Sequence, residues 1–90
     1  MRLDKFLKVS RVIKRRTLAK EVCDRGQVMI NNRRAKAGAD VEVGDIVTIG
    51  FGNRNLKFRI VEVRENIPAK MAKELYEILE DYRTTEEENE

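Results

Sequence analysis

An α+β fold is predicted for this chain of 90 residues, with two helices at the N-terminus, a small antiparallel sheet and a further helix towards the C-terminus. Three observations predict it. Apolar residues recur at helical spacing before Gly26, alternate with polar residues between residues 28 and 63, and return to helical spacing after Pro68. A chain of this length supports one compact domain with a modest core.

The first helix is predicted over residues 2–9. Its buried face consists of apolar residues at intervals of three and four, namely Leu3, Phe6 and Leu7. Asp4 and Lys8 are four residues apart and are expected to pair on its surface, for roughly a few tenths of a kcal/mol. Val12 is predicted to continue the core, and a basic connector follows at residues 14–16.

The second helix is predicted to begin at Thr17 and to end before Gly26. The Thr17 hydroxyl can accept a backbone N–H one turn along the chain, which is the chemistry of an N-cap. Gly26 can adopt the positive φ that ends many helices. The predicted buried face is Leu18, Val22 and Cys23. We interpret Cys23 as a small core residue and not as a nucleophile, because the sequence has no His to activate it.

Short strands are predicted after Gly26. Val28 and Ile30 alternate with polar neighbours, which indicates a strand. The pair at residues 31–32, Asn-Asn, predicts a tight turn because Asn tolerates left-handed backbone geometry. Residues 33–36 would return as a hairpin with basic residues at its tip. The same alternation predicts two further strands, at residues 41–49 and 58–63.

The C-terminal part is predicted to be a helix followed by a tail. Pro68 is suited to the first turn of a helix. An apolar stripe at helical spacing follows it, formed by Met71, Ala72, Leu75, Ile78, Leu79 and Tyr82. The last segment, TTEEENE, has no apolar side chain and is predicted to be a disordered acidic tail. The chain therefore divides into a sheet-containing domain at 1–65, a helix at 66–83 and the tail at 84–90.

The charge is distributed unevenly along the chain. Residues 1–38 hold 12 Lys and Arg against 3 Asp and Glu, net +9, whereas residues 39–90 hold 7 against 13, net −6. Seven of the twelve cations in the first part are Arg, which is suited to bidentate phosphate contact. A basic half of this density favours a polyanionic partner, of which nucleic acid is the first candidate. The alternative is a solvated cationic surface without a ligand.

The composition excludes several kinds of site. With no His and a single Cys, the sequence cannot form a Cys/His zinc site, a His-dependent triad or an intramolecular disulfide. Asp40, Glu42 and Asp45 lack the spacing of a calcium loop and are interpreted as turn residues. No apolar run is long enough for a membrane span, and the N-terminus lacks an apolar signal core. We therefore expect a cytoplasmic protein with no cofactor, no metal, no membrane partner and no small-molecule ligand.

Residues 1 to about 50 contain an ordered set of motif residues: Arg2-Leu3-Asp4, Ser10-Arg11, Arg16-Thr17, Ala19, Gly26, Val28, Ile30-Asn31, Lys36 and Val43-Gly44-Asp45. With this set the segment closely resembles the RNA-binding domain first seen in small-subunit ribosomal protein four, the S-four domain or αL motif. The resemblance implies two helices packed on a small, bent antiparallel sheet. Among stand-alone domains, the chain resembles the bacterial RqcP family of ribosome-associated quality-control factors. The related fifteen-kilodalton heat-shock proteins carry a long basic C-terminal extension, where this chain is acidic.

The resemblance implies a protein that binds RNA and is not an enzyme. It implies binding to large-subunit ribosomal RNA and peptidyl-tRNA on obstructed large ribosomal subunits, and support of the partner RqcH in C-terminal alanine tailing. The alternative is a heat-shock-type factor that repositions tRNA on aborted large subunits without a role in tailing. An RNA-modifying enzyme is disfavoured because the chain has no catalytic domain or cofactor loop. A DNA-binding helix-turn-helix is disfavoured because the hairpin and Gly-Asp turn of the RNA-binding family follow the helices at once.

The candidate RNA-binding residues are cations of the two helices, their connector and the hairpin: Arg2, Lys8, Arg11, Arg15, Arg16, Lys20, Arg33 and Lys36. Arg2 and Arg16 match the family motif directly. We expect Arg2, Lys8 and Arg11 along one edge of the first helix, with the next three at the start of the second helix. There they would clamp phosphates of two adjacent RNA segments. The cations left open between RNA contact and solvation are Lys5, Lys14, Arg25 and Arg34. Asp4 is expected to pair with a cation and orient it.

Overall fold

The structure, a computed structural model, describes residues 1–83. Its elements in chain order are α1 (Leu3–Val9), α2 (Arg16–Asp24), β1 (Val28–Ile30), β2 (Arg33–Arg34), β3 (Ile46–Phe51), β4 (Arg54–Ile60), a 3-10 helix (Ala69–Leu75) and β5 (Tyr76–Arg83). The strands form one antiparallel sheet in the order β2-β1-β3-β4-β5. The predicted α+β class is confirmed. None of the helices in residues 1–83 has the length and apolar character needed to cross a bilayer.

The core lies between the two α-helices and one face of the sheet. Alternate residues of β3 and β4 are buried, namely Val47, Ile49, Leu56, Phe58 and Ile60. The rings of Phe6 in α1 and Phe58 in β4 lie 6.3 Å apart between centroids, which joins the first helix to the centre of the sheet. The predicted core positions of Phe6, Leu7, Val22 and Cys23 are confirmed, and Val12 packs partly buried against them.

The start of α2 differs from the prediction. The helix begins at Arg16, with Arg15 as the N-cap residue and no side-chain cap hydrogen bond, so the predicted Thr17 N-cap is wrong. Ala19 occupies the buried position that was expected for Leu18. Because successive residues are about 100° apart around a helix, Leu18 then lies on the flank. It is 47% exposed, and its predicted core position is wrong.

The first turn of α1 is held by the loop at residues 37–41. The backbone N–H groups of Leu3 and Asp4 donate to the carbonyl oxygens of Ala39 and Ala37, at 2.7 and 3.1 Å. The first N–H groups of a helix have no acceptors within the helix, and here the loop provides the acceptors. Arg2 itself forms an isolated antiparallel bridge with Asp40, which belongs to the same loop.

The predicted turn residues adopt the expected left-handed geometry. Gly26 follows α2 with a φ of +75°, and Asn31 and Asn32 join β1 to β2 with φ of +51° and +69°. The Asn31 side chain also accepts the backbone N–H of Ile46 at 2.9 Å, which connects this turn to the start of β3. The left-handed geometry predicted for these three residues is confirmed. It could be predicted because it depends on the conformational preference of each residue in its own turn.

We expect Gly26→Ala to lower the free energy of unfolding by about 1–2 kcal/mol. A Cβ at this position would lie 3.6 Å from Arg34, an ordinary contact, so space does not limit the substitution. The cost comes from the positive φ, which an L residue adopts at roughly 1–2 kcal/mol. Urea denaturation measures the change. Gly50→Ala is the matched control, because Gly50 has no positive φ and its Cβ would also meet its nearest atom at 3.6 Å. Equal stability of the two variants would contradict the expectation.

The helix predicted over residues 66–83 is wrong in its second half. A short 3-10 helix does follow Pro68, and it buries Ala72 and Leu75 as the apolar stripe requires. From Tyr76 onward the chain is extended as β5. The stripe residues that fall within β5, Ile78, Leu79 and Tyr82, are exposed. The predicted tail at residues 84–90 lies outside the described residues.

Pairing with β4 explains why β5 is a strand. Two nitrogens of Arg54 donate to the two carboxylate oxygens of Asp81, each at 3.0 Å. Arg59 pairs with Glu77 at 3.5 Å, and the ring of Tyr76 lies 5.2 Å from that of Phe58. These cross-strand contacts join residues 18 to 27 positions apart in the chain, so they override the local helical periodicity.

Candidate RNA-binding surface

The carboxylate of Asp4 connects the two helices. Its side chain is only 4% exposed. Arg2 donates to it twice, from Nε to Oδ1 at 3.1 Å and from Nη2 to Oδ2 at 3.3 Å, and Arg16 Nη2 donates to Oδ1 at 3.4 Å. The expectation that Asp4 orients a cation is confirmed. The predicted pair with Lys8 is wrong, because the carboxylate faces the starts of both helices instead.

The electrostatics of this arrangement favour the charged forms. Burial of Asp4 is the largest single influence and opposes ionisation, but the hydrogen bonds and charges of Arg2 and Arg16 together outweigh it. The pKa of Asp4 therefore lies below its ordinary value. The hydrogen bond to Asp4 also raises the pKa of Arg2. The side chains of Arg2 and Arg16, whose guanidinium groups we call the arginine pair, remain about half exposed, at 51% and 48%.

The arginine pair continues into a cationic flank of α2. Lys20 lies one turn after Arg16 and donates to Asp24 Oδ2 at 2.9 Å, and this bond raises the pKa of Lys20. Asp24 borders a groove between the end of α2 and β2, which Arg34 and Lys36 also line. The structure thus brings four of the predicted RNA-binding residues to one side of the molecule: Arg2, Arg16, Lys20 and Lys36.

Two neighbours of this surface were not predicted as part of the site. A Cβ at Gly38 would lie 3.5 Å from Arg2 Nη1, so the loop backbone passes directly beside the guanidinium group. Arg34, which the sequence left open, lies over Gly26 and borders the groove. The sequence gives little indication that Gly38 lies beside Arg2, because it shows only a glycine between two alanines after the basic hairpin. Only the hairpin register indicates which way Arg34 leaves the strand.

Lys8 and Arg11 are not beside the arginine pair. They line a small cleft at the end of α1, together with Glu65, Asn66 and Ile67 of the segment after β4. Lys8 comes six residues after Arg2, and at about 100° per residue it lies on a different side of α1. Arg2, Lys8 and Arg11 therefore do not form the single edge that was expected. Arg11 adopts a φ of +63° directly after α1. Lys5, left open by the sequence, pairs with Glu65 and lowers the pKa of that carboxyl.

The remaining candidates are separate and exposed. Arg15 is the N-cap residue of α2. Arg33 is in register with Ile30 whereas Arg34 is in register with Met29, so the two arginines leave β2 on opposite faces. Five of the predicted residues have no ion-pair partner within residues 1–83, namely Lys8, Arg11, Arg15, Arg33 and Lys36. Such cations are available to an external anion.

Cys23 borders the groove but is expected to be unreactive in the folded protein. Its side chain is buried, and burial raises the pKa of the thiol to about 11. At pH 8 only about one thiol in a thousand is then the reactive thiolate. Labelling with iodoacetamide, followed by mass spectrometry, should be slow in buffer and fast in urea. Labelling at similar rates in both conditions would show that the thiol is accessible.

Comparisons with known proteins place this geometry in context. The S4 domain matches residues 1–47, a range that includes the arginine pair and Asp4. The chain is similar to the RQC P-site tRNA stabilizing factor of Bacillus subtilis (strain 168), at 48% identity over 86 residues, covering 96% of this chain and 100% of that protein. The factor of the same name from Streptococcus pneumoniae is 46% identical, covering 96% and 98%. The trimeric structure of Vibrio cholerae Heat Shock Protein 15 has a TM-score of 0.80 and 33% identity, covering 87% of this chain and 80% of that one.

Proposed function

The chain belongs to the S4 domain family and, within it, to the RQC P-site tRNA stabilizing factors, and from this premise we propose that it acts as a non-enzymatic RNA-binding factor in ribosome-associated quality control. It binds ribosomal RNA and peptidyl-tRNA on large ribosomal subunits obstructed by an unreleased chain. By holding the tRNA there, it supports the RqcH-dependent addition of alanine residues to the C-terminus of that chain.

The observation that carries this proposal is the arginine pair on its buried carboxylate. Arg2 and Arg16 both lie within hydrogen-bond distance of Asp4, so their positions depend on each other. Two guanidinium groups at a fixed separation lose less conformational freedom when they bind phosphates than two free side chains do. Such a pair fits a folded RNA, whose phosphates are themselves at fixed separations.

The surrounding charge supports the same ligand. Lys20 and Lys36 extend the surface from α2 to the hairpin groove. Lys8 and Arg11 add cations at the end of α1, and Arg15 adds another at the N-cap of α2. Contacts with phosphates carry little sequence information, so we expect recognition by shape and backbone position more than by base identity.

Sucrose-gradient fractionation of cell extracts tests the proposal. The protein should co-migrate with large subunits that still hold peptidyl-tRNA, and less with empty subunits or whole ribosomes. Raising the salt concentration should release it, because phosphate contacts weaken as counterions compete. A protein that remains in the soluble fractions at low salt would contradict the proposal.

A second candidate function is favoured by the similarity to Vibrio cholerae Heat Shock Protein 15. Here the chain repositions tRNA on aborted large subunits and plays no part in tailing. Removing the gene and measuring alanine-tailed products separates the two. Loss of the tails supports the first function, whereas unchanged tails together with continued large-subunit binding support the second.

A further inference from the structure

The flank of α2 opposite Lys20 carries an apolar crevice. Its walls are Val12 from the connector between the helices, Leu18 from α2 and Phe51 at the end of β3. Leu18 is an exposed large apolar residue, and Val12 and Phe51 are only partly buried. The guanidinium carbon of Arg54 lies 5.8 Å from the centroid of Phe51 and helps to hold that ring at the wall. The crevice therefore offers apolar surface that the core does not use.

The rim of the crevice is cationic. Lys14 and Arg25 both line it, and none of its lining residues is a carboxylate. Lys14 has no ion-pair partner within residues 1–83. Arg25 Nη2 lies 3.9 Å from Glu21 Oε1 on the helix surface, and an exposed pair of that length contributes little. Both cations are thus available to anions beside the apolar walls.

The crevice lies on the other flank of α2 from the arginine pair. Lys14 is followed directly by Arg15 and Arg16, so the connector and the start of α2 carry three consecutive cations. Gln27 lines the crevice as well, and its side-chain amide can both donate and accept a hydrogen bond. A single unpaired nucleobase with its flanking phosphates would fit this site. The base suits the apolar slot and the amide at its edge, and the phosphates suit the cations on either side.

We propose that this crevice binds one unpaired base of the RNA. The base packs between Leu18 and Phe51, and Lys14 and Arg25 contact the phosphates on either side of it. A protein segment with apolar and acidic residues would also fit the walls and rim, but two cations without a carboxylate, on a chain proposed to bind RNA, favour a nucleotide with its phosphates. The inference rests on the proposed function and adds a requirement to it, an unpaired base in the bound RNA.

The test uses two RNA hairpins that differ only in the presence of one nucleobase. Both have a single-nucleotide bulge, and one carries an abasic residue there, so that the phosphates are identical and only the base is missing. Base stacking is typically worth about 1–3 kcal/mol, so the full chain should bind the base-containing hairpin roughly 5- to 100-fold more tightly. Leu18→Ser should bring this ratio close to one. Val43→Ser is the matched control, because Val43 is an exposed apolar residue that does not line the crevice.

The ratio separates this inference from the proposed function. If both hairpins bind equally to the unchanged protein, the crevice does not bind a base, although RNA binding stands. If neither hairpin binds at low salt, RNA binding itself is contradicted. Lys14→Gln should weaken both hairpins and lower the slope of log affinity against log salt by about one. An equal ratio, together with a Leu18→Ser variant that no longer co-migrates with large subunits, would assign the crevice to a protein segment instead.

Discussion

Arg2→Gln combined with Arg16→Gln is expected to reduce binding to large ribosomal subunits by about 10²- to 10⁴-fold. Each arginine would lose charge-assisted contacts with phosphate, which contribute about 1.5–3 kcal/mol per interaction. The slope of log affinity against log salt should fall by about two, one for each phosphate contact. Quantitative sedimentation of the protein with purified subunits, over a series of salt concentrations, measures both quantities.

The control for this variant must match its charge and its fold. Lys70→Gln with Lys73→Gln removes the same number of positive charges from exposed positions in the 3-10 helix, far along the chain from Asp4. Gln is preferable to Ala at residues 2 and 16, because its amide can still donate a hydrogen bond to the buried Asp4. If both double variants bind alike, the effect is one of overall charge and the arginine pair has no special role.

Asp4→Asn is expected to weaken RNA binding although it makes the protein more positive. General electrostatics predicts the opposite sign, since removing a negative charge should favour a polyanion. The carboxylate, however, holds both guanidinium groups, and a neutral amide binds them less strongly. We expect binding to fall severalfold, and the free energy of unfolding to fall by about 1–3 kcal/mol because Asp4 is buried.

Asp40→Asn provides the comparison. Asp40 lies in the loop at residues 37–41 near the arginine pair, but its side chain is 84% exposed. Neutralising it should leave RNA binding unchanged or slightly stronger. Filter binding with a structured RNA measures both variants under the same conditions. Tighter binding by Asp4→Asn, in line with Asp40→Asn, would show that Asp4 does not orient the arginines.

The same carboxylate gives stability a dependence on pH. The pKa of Asp4 is lower in the folded protein than the ordinary value of about 3.9. Its stabilising contribution is therefore complete above about pH 4 and is lost as the pH falls through the folded pKa. Glu65 and Asp81 also have lowered pKa values, through their bonds to Lys5 and Arg54. Only the difference between the unfolding curves of the unchanged protein and Asp4→Asn isolates Asp4.

The parts of the fold that sequence predicts well have local signals. The first helix has an apolar face that can be identified within eight residues, and Gly26 and the Asn31-Asn32 turn need only their own backbone geometry. The first strand follows from alternation before that turn, and the second from the return of the chain after it. These features depend on neighbours in the chain, which the sequence displays directly.

The errors arise where a distant segment decides. The helical spacing after Pro68 is real, but Arg54 and Arg59 of β4 pair with carboxylates that are in place only if residues 76–83 are extended. Leu18 is the larger apolar residue, yet Ala19 takes the buried position in α2. Neither choice can be made from a helical periodicity alone.

The candidate site was partly predictable for the same reason. Arg2, Asp4 and Arg16 were identified through the family motif, although only the structure shows that one carboxylate binds both arginines. Helical spacing alone separates Lys8 from Arg2. The residues that line the cleft beside Lys8 and Arg11 come from the segment after β4, which their own helix does not predict.

The loop at residues 37–41 determines when this surface can assemble during translation. Arg2 leaves the ribosome before this loop does, yet the backbone at the start of the adjoining helix is hydrogen-bonded to Ala37 and Ala39. A nascent chain that ends at residue 26 contains both arginines and Asp4 but lacks the loop that accepts the backbone N–H groups of Leu3 and Asp4. We therefore expect binding competence only after residue 41 has emerged, and an isolated peptide of the two helices should be a poor substitute for the whole domain.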